Sequence, residues 1–204
     1  MSDLLVFTIS VFTGFFAVLN PVTNLPIFLG LVGDDDDTEK KKIARKATIT
    51  AFFIVASFVV FGKFIFELFD LTISAFKITG GILIFYIGFE MLMSRKSQVQ
   101  NQSNSDNAES VAISPLAIPI LAGPGTIVTA MSFVTSANMV HIGIIVAALA
   151  VMLFLTYLAF LSGKAIVKLI GENLIDVVGK LMGLILAIMG SGMVVGGIKL
   201  AFDL

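Results

Sequence analysis

Residues 20–26 read NPVTNLP and residues 122–126 read AGPGT, and these two proline-containing motifs decide the fold of the chain. Each interrupts a hydrophobic stretch that can cross a bilayer, for which about 20 apolar residues are needed. Hydrocarbon offers no hydrogen-bonding partner, so a broken helix must bury its freed backbone groups in protein or direct them at a polar ligand. Interrupted segments at matching positions of two halves are typical of a transporter's substrate site.

The composition is that of an integral membrane protein. The chain has 204 residues and is 57% hydrophobic and 13% charged, whereas soluble domains are about a quarter charged. The lack of cysteine excludes disulfides and thiolate metal sites. His141 is the single histidine, and no Ser/His or paired-carboxylate arrangement occurs in the hydrophobic stretches, so we expect no enzyme, metal or cofactor. No basic aromatic patch suggests nucleic-acid binding, and no Walker-type loop suggests direct use of ATP.

Six stretches are long and apolar enough to predict an all-α membrane protein with six transmembrane helices. They lie near residues 4–31, 47–69, 74–93, 112–135, 142–162 and 177–200. Polar residues at 94–111 predict a cytoplasmic linker. One transmembrane domain would then consist of two three-helix halves, residues 1–93 and 112–204. Because Met1-Ser2-Asp3 carries no basic residue, we expect the first hydrophobic segment to be retained rather than cleaved as a signal peptide.

The two halves resemble each other at nearly one offset. Three pairs of segments match at shifts of 101, 102 and 103 residues: GKFIFEL from 62 with GKAIVKL from 163, GILIFYIG from 81 with GLILAIMG from 183, and PVT from 21 with PGT from 124. Because each half has an odd number of helices, the second half enters the membrane from the opposite side, so the repeat is predicted to be inverted. A rival register, which pairs Pro21 and Pro26 with Pro119 and Pro124, stays open.

The basic residues predict that both termini lie outside. With the N-terminus outside, three lysines fall on the outer side, Lys63, Lys77 and Lys199, and ten basic residues fall on the inner side. Basic residues favour the cytoplasmic side, so the prediction is a multi-pass protein of the cell membrane. The inner ten are Lys40, Lys41, Lys42, Arg45, Lys46, Arg95, Lys96, Lys164, Lys168 and Lys180.

Both motifs carry helix-start chemistry. Asparagine is a preferred N-cap and proline suits the first helical position, so we expect a stop before Asn20 and a restart at Pro21, with Gly123-Pro124 doing the same. Each restart leaves unpaired N–H groups and a positive helix end. In an inverted repeat the two ends converge, and such a pocket suits the carboxylate of a small zwitterion. The predicted substrate-binding residues are Asn20, Pro21, Thr23, Asn24, Gly123, Pro124, Gly125 and Thr126, with Thr129 as a further neutral hydrogen-bonding group.

An ordinary proline kink would explain either break by itself, but two matching breaks with capping residues favour a site. No carboxylate lies at predicted mid-membrane depth, so nothing in the sequence directly supports proton coupling, and coupling to protons or another ion stays open. The spacings Gly179-x-x-x-Gly183 and Gly192-x-x-x-Gly196 predict close helix packing. Gly80-Gly81 predicts either such packing or room for cargo.

Together the motifs resemble the MarC family of integral membrane proteins. The likeness spans all six predicted helices and implies a relation to small neutral amino acid transporters, with glycine and alanine as typical cargo and proton-linked transport proposed. The family was also once tied to multiple antibiotic resistance. The chain departs from the family pattern at Thr23, where glycine is frequent, and at Gly179-Lys180, where an arginine is often found. The resemblance rests on Asn20-Pro21 with Pro26-Ile27-Phe28, Phe76 through Gly80-Gly81-Ile82-Leu83, and Pro115-Leu116-Ala117-Ile118-Pro119 leading into residues 122–126.

The sequence therefore predicts a secondary transporter of small neutral amino acids that works by alternating access around the two breaks. Two alternatives stay open: a non-transporting membrane scaffold, and a transporter or exporter of another small solute linked to drug resistance. Besides the cargo, the lipid bilayer is the expected partner. The oligomeric state is left open.

Overall fold

The computed structural model describes residues 2–32, 36–93, 112–135 and 137–203, and within these ranges the chain is helical without a β-strand. The predicted linker at 94–111 lies outside the described residues. The elements are α1 (Ser2–Leu19), α2 (Asn24–Val32), α3 (Asp37–Leu68), α4 (Ile73–Leu92), a π-helical segment (Ala112–Leu121), α5 (Pro124–Val134), α6 (Met139–Leu161), α7 (Gly163–Ile170) and α8 (Glu172–Phe202).

Four of the described helices are long and apolar enough to cross a membrane: Asp37–Gly62, Ile73–Leu92, Met139–Leu161 and Asn173–Phe202. Helices α1 and α2, which meet at a bend of 44°, together form a fifth span if the bent pair is counted as one. The predicted span at 112–135 is divided between the π-helical segment and α5, an apolar helix of 11 residues. The protein is thus a multi-pass membrane protein whose described residues are helical and provide four or five such spans.

The main core lies between α1, α2, α3, α5 and α6. On α2, the ring of Phe28 stacks on Phe160 of α6 with centroids 4.3 Å apart and planes 6° from parallel. This contact fixes the second half of the bent α1–α2 pair against α6. Completely buried members of the core include Phe15, Leu25, Val55, Ala130 and Leu149.

A second, smaller core joins α1 to the α4–α8 pair. It is centred on Ala17, Ile84 and Leu186, each 1% exposed. Methionine is unbranched and adaptable, so it fills irregular gaps, and this cluster is rich in it. The methionines packed there are Met91, Met182, Met189 and Met193.

Glycines bring α4 and α8 into direct backbone contact. A Cβ atom on Gly81 would lie 2.6 Å from the carbonyl oxygen of Gly190, and one on Gly88 would lie 2.5 Å from that of Gly183. Small residues permit such approach between membrane helices. The predicted packing role is therefore seen at Gly183, and Gly81 is a packing position rather than room for cargo.

The predicted packing role of the second spacing, Gly192 and Gly196, was wrong: a Cβ atom on either would meet nothing within 4 Å among the described residues. On α8 the residues in close contact with α4 are instead Gly190 and Gly197. The spacing of small residues gives their period along the helix, but which helix face packs depends on the tertiary structure.

Candidate functional site

The first break has a different backbone from the predicted one. Helix α1 ends at Leu19, and a turn over Pro21–Thr23 leads to α2, which begins at Asn24 rather than at Pro21. Asn20 adopts φ +32°, in the left-handed region, whereas an N-cap residue is normally extended. Asparagine tolerates this region because its short polar side chain bonds locally. Asn20 thus ends α1 and bends the chain there instead of opening a helix.

Local hydrogen bonds satisfy the backbone of this turn. The Asn20 side-chain oxygen Oδ1 accepts from the N–H of Thr23 at 3.3 Å, and the Asn20 carbonyl accepts from the N–H of Asn24 at 3.3 Å. The Asn24 carboxamide donates to the carbonyl of Leu19 at 2.7 Å. The expectation that this restart presents unpaired N–H groups is therefore not met, since Asn20 itself accepts two of them.

The second break has the predicted form. The π-helical segment ends at Leu121, and Gly123 is the N-cap of α5 with an extended backbone of φ −69° and ψ 167°, followed by Pro124 in the first turn. No side chain caps α5, and Gly125 and Thr126 in its first turn are buried. A buried, uncapped helix N-terminus leaves N–H groups and positive dipole charge for a ligand to satisfy.

Three buried side-chain polar atoms lack a hydrogen-bond partner within the described part of the chain: Nδ2 of Asn20 and the hydroxyl oxygens Oγ1 of Thr126 and Thr129. Their residues are only 2%, 1% and 1% exposed. Other buried threonines behave differently, since the hydroxyl of Thr156 donates to the carbonyl of Met152 at 2.9 Å. An unsatisfied buried polar group costs about 1–3 kcal/mol, so three of them at predicted site residues indicate a place for a polar ligand.

The packing of α1 on α5 brings the two breaks to one level. A Cβ atom on Gly14 would lie 3.5 Å from the Thr129 methyl carbon, and one on Gly125 would lie 3.6 Å from Val18. The residue order shows that the two helices run antiparallel. Asn20 follows Val18 by two residues, so it lies level with the N-terminus of α5.

The remaining predicted residues divide into two groups. Pro21 and Gly123 are buried, whereas Pro124 is exposed. Thr23 and Asn24 are half-buried and take part in the turn, and the Thr23 methyl carbon lies 3.0 Å from the Cβ position of Gly179 on α8. These two residues shape the break and hold it against α8, while Asn20, Thr126 and Thr129 carry the unpaired groups.

The chemistry of the site is that of neutral donors. Asn20, Thr126 and Thr129 are uncharged, and the first turn of α5 contributes backbone N–H groups and no carboxylate. Within the described ranges, His, Asp and Glu nowhere gather in threes that could hold a metal ion. The arrangement can therefore bind an anionic group through neutral donors, with no negatively charged side chain to repel it.

Two surface cavities lie elsewhere and share no residue with the breaks. One, of about 460 Å³, runs between α3 and α6 from Arg45 to Phe53 and from Ala150 to Tyr157. The other, of about 320 Å³, lies where α3 turns into α4, beside Val134 and Thr135. Sequence reasoning missed the first groove, although the spacing of Arg45, Ile49 and Phe53 by four residues places them on one face of α3.

The sequence comparisons agree with this architecture. Residues 5–202 match the family described as MarC family integral membrane protein. The chain belongs to the MarC family. It is 42% identical to the UPF0056 membrane protein YvbG of Bacillus subtilis over 95% of the chain and 94% of that protein. A UPF0056 membrane protein of Pyrococcus horikoshii is 37% identical over the same shares, and one of Methanocaldococcus jannaschii is 33% identical over 92% and 94%. No solved structure matches this MarC-family chain.

Proposed function

We propose that the protein is a secondary transporter of small neutral amino acids whose cargo carboxylate binds at the N-terminus of α5. The observation that carries the proposal is the set of unpaired buried groups on Asn20, Thr126 and Thr129. These groups lie at residues that the sequence predicts to contribute to the cargo site. The packing of α1 on α5 places Asn20 level with the N-terminus of α5, where Thr126 lies, and Thr129 follows one turn further along α5.

A carboxylate supplies what these groups lack. It accepts hydrogen bonds from the Asn20 carboxamide, from the Thr126 hydroxyl and from the uncapped N–H groups of α5, and charge-assisted bonds of this kind are stronger than neutral ones. The positive end of α5 adds a favourable electrostatic contribution. The π-helical segment ends at Leu121, and the terminal carbonyls of a helix are acceptors for an ammonium group.

Cargo selection follows from the same chemistry. The two breaks contribute no acidic side chain to pair with a basic one. A lysine or arginine cargo would bury an unpaired charge, which is costly. Glycine and alanine have no charged side chain to bury, so the proposal favours small neutral amino acids.

The proposal includes six spans arranged as an inverted repeat with both termini outside the cell membrane. The packing of α4 on α8 supports this arrangement. Under the shift of 102 residues between the halves, Gly81 corresponds to Gly183 and Gly88 corresponds to Gly190. The Gly81–Gly190 contact therefore corresponds to the Gly88–Gly183 contact. Reciprocal contacts of this kind are the mark of a two-fold relationship. The same shift relates the end of α1, Leu19, to the end of the π-helical segment, Leu121, which favours this register over the one pairing Pro26 with Pro124.

Uptake by reconstituted liposomes tests the proposal. Protein-containing vesicles should accumulate radiolabelled alanine, with and without an imposed pH gradient as separate arms that reveal proton coupling. Unlabelled glycine should compete and lysine should not. Thr126→Val should abolish uptake, whereas Thr156→Val, at a buried threonine whose hydroxyl bonds within its own helix, should not. The proposal fails if no small neutral amino acid is taken up, or if both valine variants retain wild-type uptake.

A further inference from the structure

The groove between α3 and α6 is apolar along most of its length. Phe53 is 67% exposed and Phe154 is 58% exposed, and together with Phe52 they line a cavity of about 460 Å³. Small-molecule sites occupy about 300–1,000 Å³, so the groove has the volume of a ligand site. Large exposed aromatic surface on a membrane-spanning helix faces the acyl chains of the bilayer.

One end of the groove is polar. Arg45 and Tyr157 line it there, and no ion pair of Arg45 occurs among the described residues. By contrast, Lys42, three residues earlier on the same helix, pairs with Glu39 at 3.3 Å. Arg45 is thus an exposed cation at the mouth of an apolar groove, without an ion-pair partner in the described part of the chain.

The course of the two helices puts both polar residues at the same end. Gly62, near the end of α3, faces Val134 at the end of α5, with its Cβ position 3.4 Å away. Helix α6 begins five residues after Val134, at Met139, so it starts near the end of α3 and runs antiparallel to it. Tyr157, late in α6, therefore lies at the level of Arg45, early in α3.

The same end of the molecule is rich in positive charge. Helix α3 carries five basic residues near its start, against Asp37 and Glu39 in its first turn. The five are Lys40, Lys41, Lys42, Arg45 and Lys46. The short helix α7, which directly follows α6, exposes Lys164 and Lys168. Basic clusters beside membrane-spanning helices attract anionic lipids of the cytoplasmic leaflet, and basic pockets between such helices bind lipid headgroups.

We propose that this groove binds one anionic phospholipid, with its phosphate at Arg45 and Tyr157 and an acyl chain over Phe52, Phe53 and Phe154. The guanidinium of Arg45 matches a phosphate with two parallel N–H donors. Tyrosine suits the interface because its ring is apolar and its hydroxyl polar. The acyl chain of the lipid covers the exposed phenylalanine rings of the groove. This site is separate from the proposed cargo site and does not depend on it.

The small number of tyrosines gives a direct optical test. The chain has no tryptophan and two tyrosines, so in a Tyr86→Phe background Tyr157 is the sole strongly fluorescent residue. The protein is reconstituted into phosphatidylcholine vesicles that contain a minor fraction of phosphatidylglycerol or phosphatidylcholine brominated near the carbonyl end of its chains. Bromine quenches tyrosine only at contact, so the ratio of the two quenching curves measures the preference of the groove.

Brominated phosphatidylglycerol should be favoured about fivefold over brominated phosphatidylcholine, the equivalent of about 1 kcal/mol for one basic residue. Arg45→Gln should remove the preference. Lys168→Gln, which lowers the charge at the same end but lies outside the groove, should keep it. The proposal is overturned by equal quenching with both lipids, by a preference that survives Arg45→Gln, or by protection from both lipids, which would indicate a second protein copy in the groove.

Discussion

The carboxamide oxygen of Asn20 accepts a hydrogen bond from the backbone N–H of Thr23 at 3.3 Å, and this bond closes the turn between α1 and α2. The Nδ2 of the same side chain is buried and finds no partner among the described residues. One carboxamide thus has two roles: its oxygen holds the break, and its nitrogen is free to donate to a ligand. Substitutions that keep one role and remove the other separate structure from function.

Asn20→Asp should keep the fold and abolish uptake. Aspartate preserves the acceptor for the Thr23 N–H and tolerates a positive φ, but it replaces a donor by a negative charge beside the cargo carboxylate, and like charges repel strongly at low dielectric. Asn20→Ala should lower both stability and uptake: losing the hydrogen bond to Thr23 costs about 1 kcal/mol, and a left-handed alanine costs about 1–2 kcal/mol more. Uptake and thermal unfolding are measured at matched expression. Wild-type uptake by Asn20→Asp would exclude Asn20 from the cargo site.

Thr129→Val should stabilise the protein while weakening uptake. The Thr129 hydroxyl is buried without a partner in the described ranges. A valine of similar shape removes this unsatisfied group and should raise the free energy of unfolding by about 1 kcal/mol. Thr156→Val is the matched control, because there the substitution removes an existing bond and should not stabilise. Thermal melts in detergent compare the two. Equal destabilisation by both would mean that the Thr129 hydroxyl is paired in the folded protein.

Local chemistry explains which parts of the fold and site were predictable. The break at Gly123-Pro124 was confirmed because an N-cap glycine followed by proline depends only on neighbouring residues. The restart at Pro21 was wrong because Asn20 took a left-handed conformation, which asparagine tolerates, instead of the extended one that usually precedes proline. Asn20 and Thr126 could be named as polar residues at breaks, but only the packing of the described residues shows that Nδ2 of Asn20 and the hydroxyl of Thr126 are buried without a partner there.

Features that join distant segments were beyond the sequence. The groove between α3 and α6 depends on the side-by-side placement of Phe53 and Phe154, about a hundred residues apart. Glycine spacing suggested Gly192, whereas the backbone contact occurs at Gly190, two residues away and on a different face of α8. A single sequence gives the period of small residues but not the angle at which a helix meets its neighbour.

Gly88→Ala should destabilise the α4–α8 pair. The new Cβ atom would lie 2.5 Å from the Gly183 carbonyl oxygen and from the Ala187 nitrogen, and backbone atoms cannot move aside without separating the helices. Overpacking of this kind costs about 1–3 kcal/mol. Gly192→Ala is the control, since its Cβ would meet nothing within 4 Å and alanine favours helix by about 1 kcal/mol. The melting temperature of Gly88→Ala should be below that of the wild type, and the melting temperature of Gly192→Ala should be equal to or above it.

Cysteine labelling should decide between five and six spans. The chain has no cysteine, so single cysteines can be placed at Met139 and Leu169, whose side chains are 85% and 87% exposed. If the π-helical segment and α5 together cross the membrane, Met139→Cys lies outside and Leu169→Cys inside. If the π-helical segment and α5 instead enter and leave the membrane on the same side, every later helix crosses in the opposite direction. Met139→Cys then lies inside and Leu169→Cys outside. Thr38→Cys, exposed at the start of α3, marks the inner side in either case when the N-terminus is outside. A membrane-impermeant maleimide on intact cells should therefore label Met139→Cys alone. Labelling of Leu169→Cys instead, with Thr38→Cys protected, would refute the six-span inverted repeat.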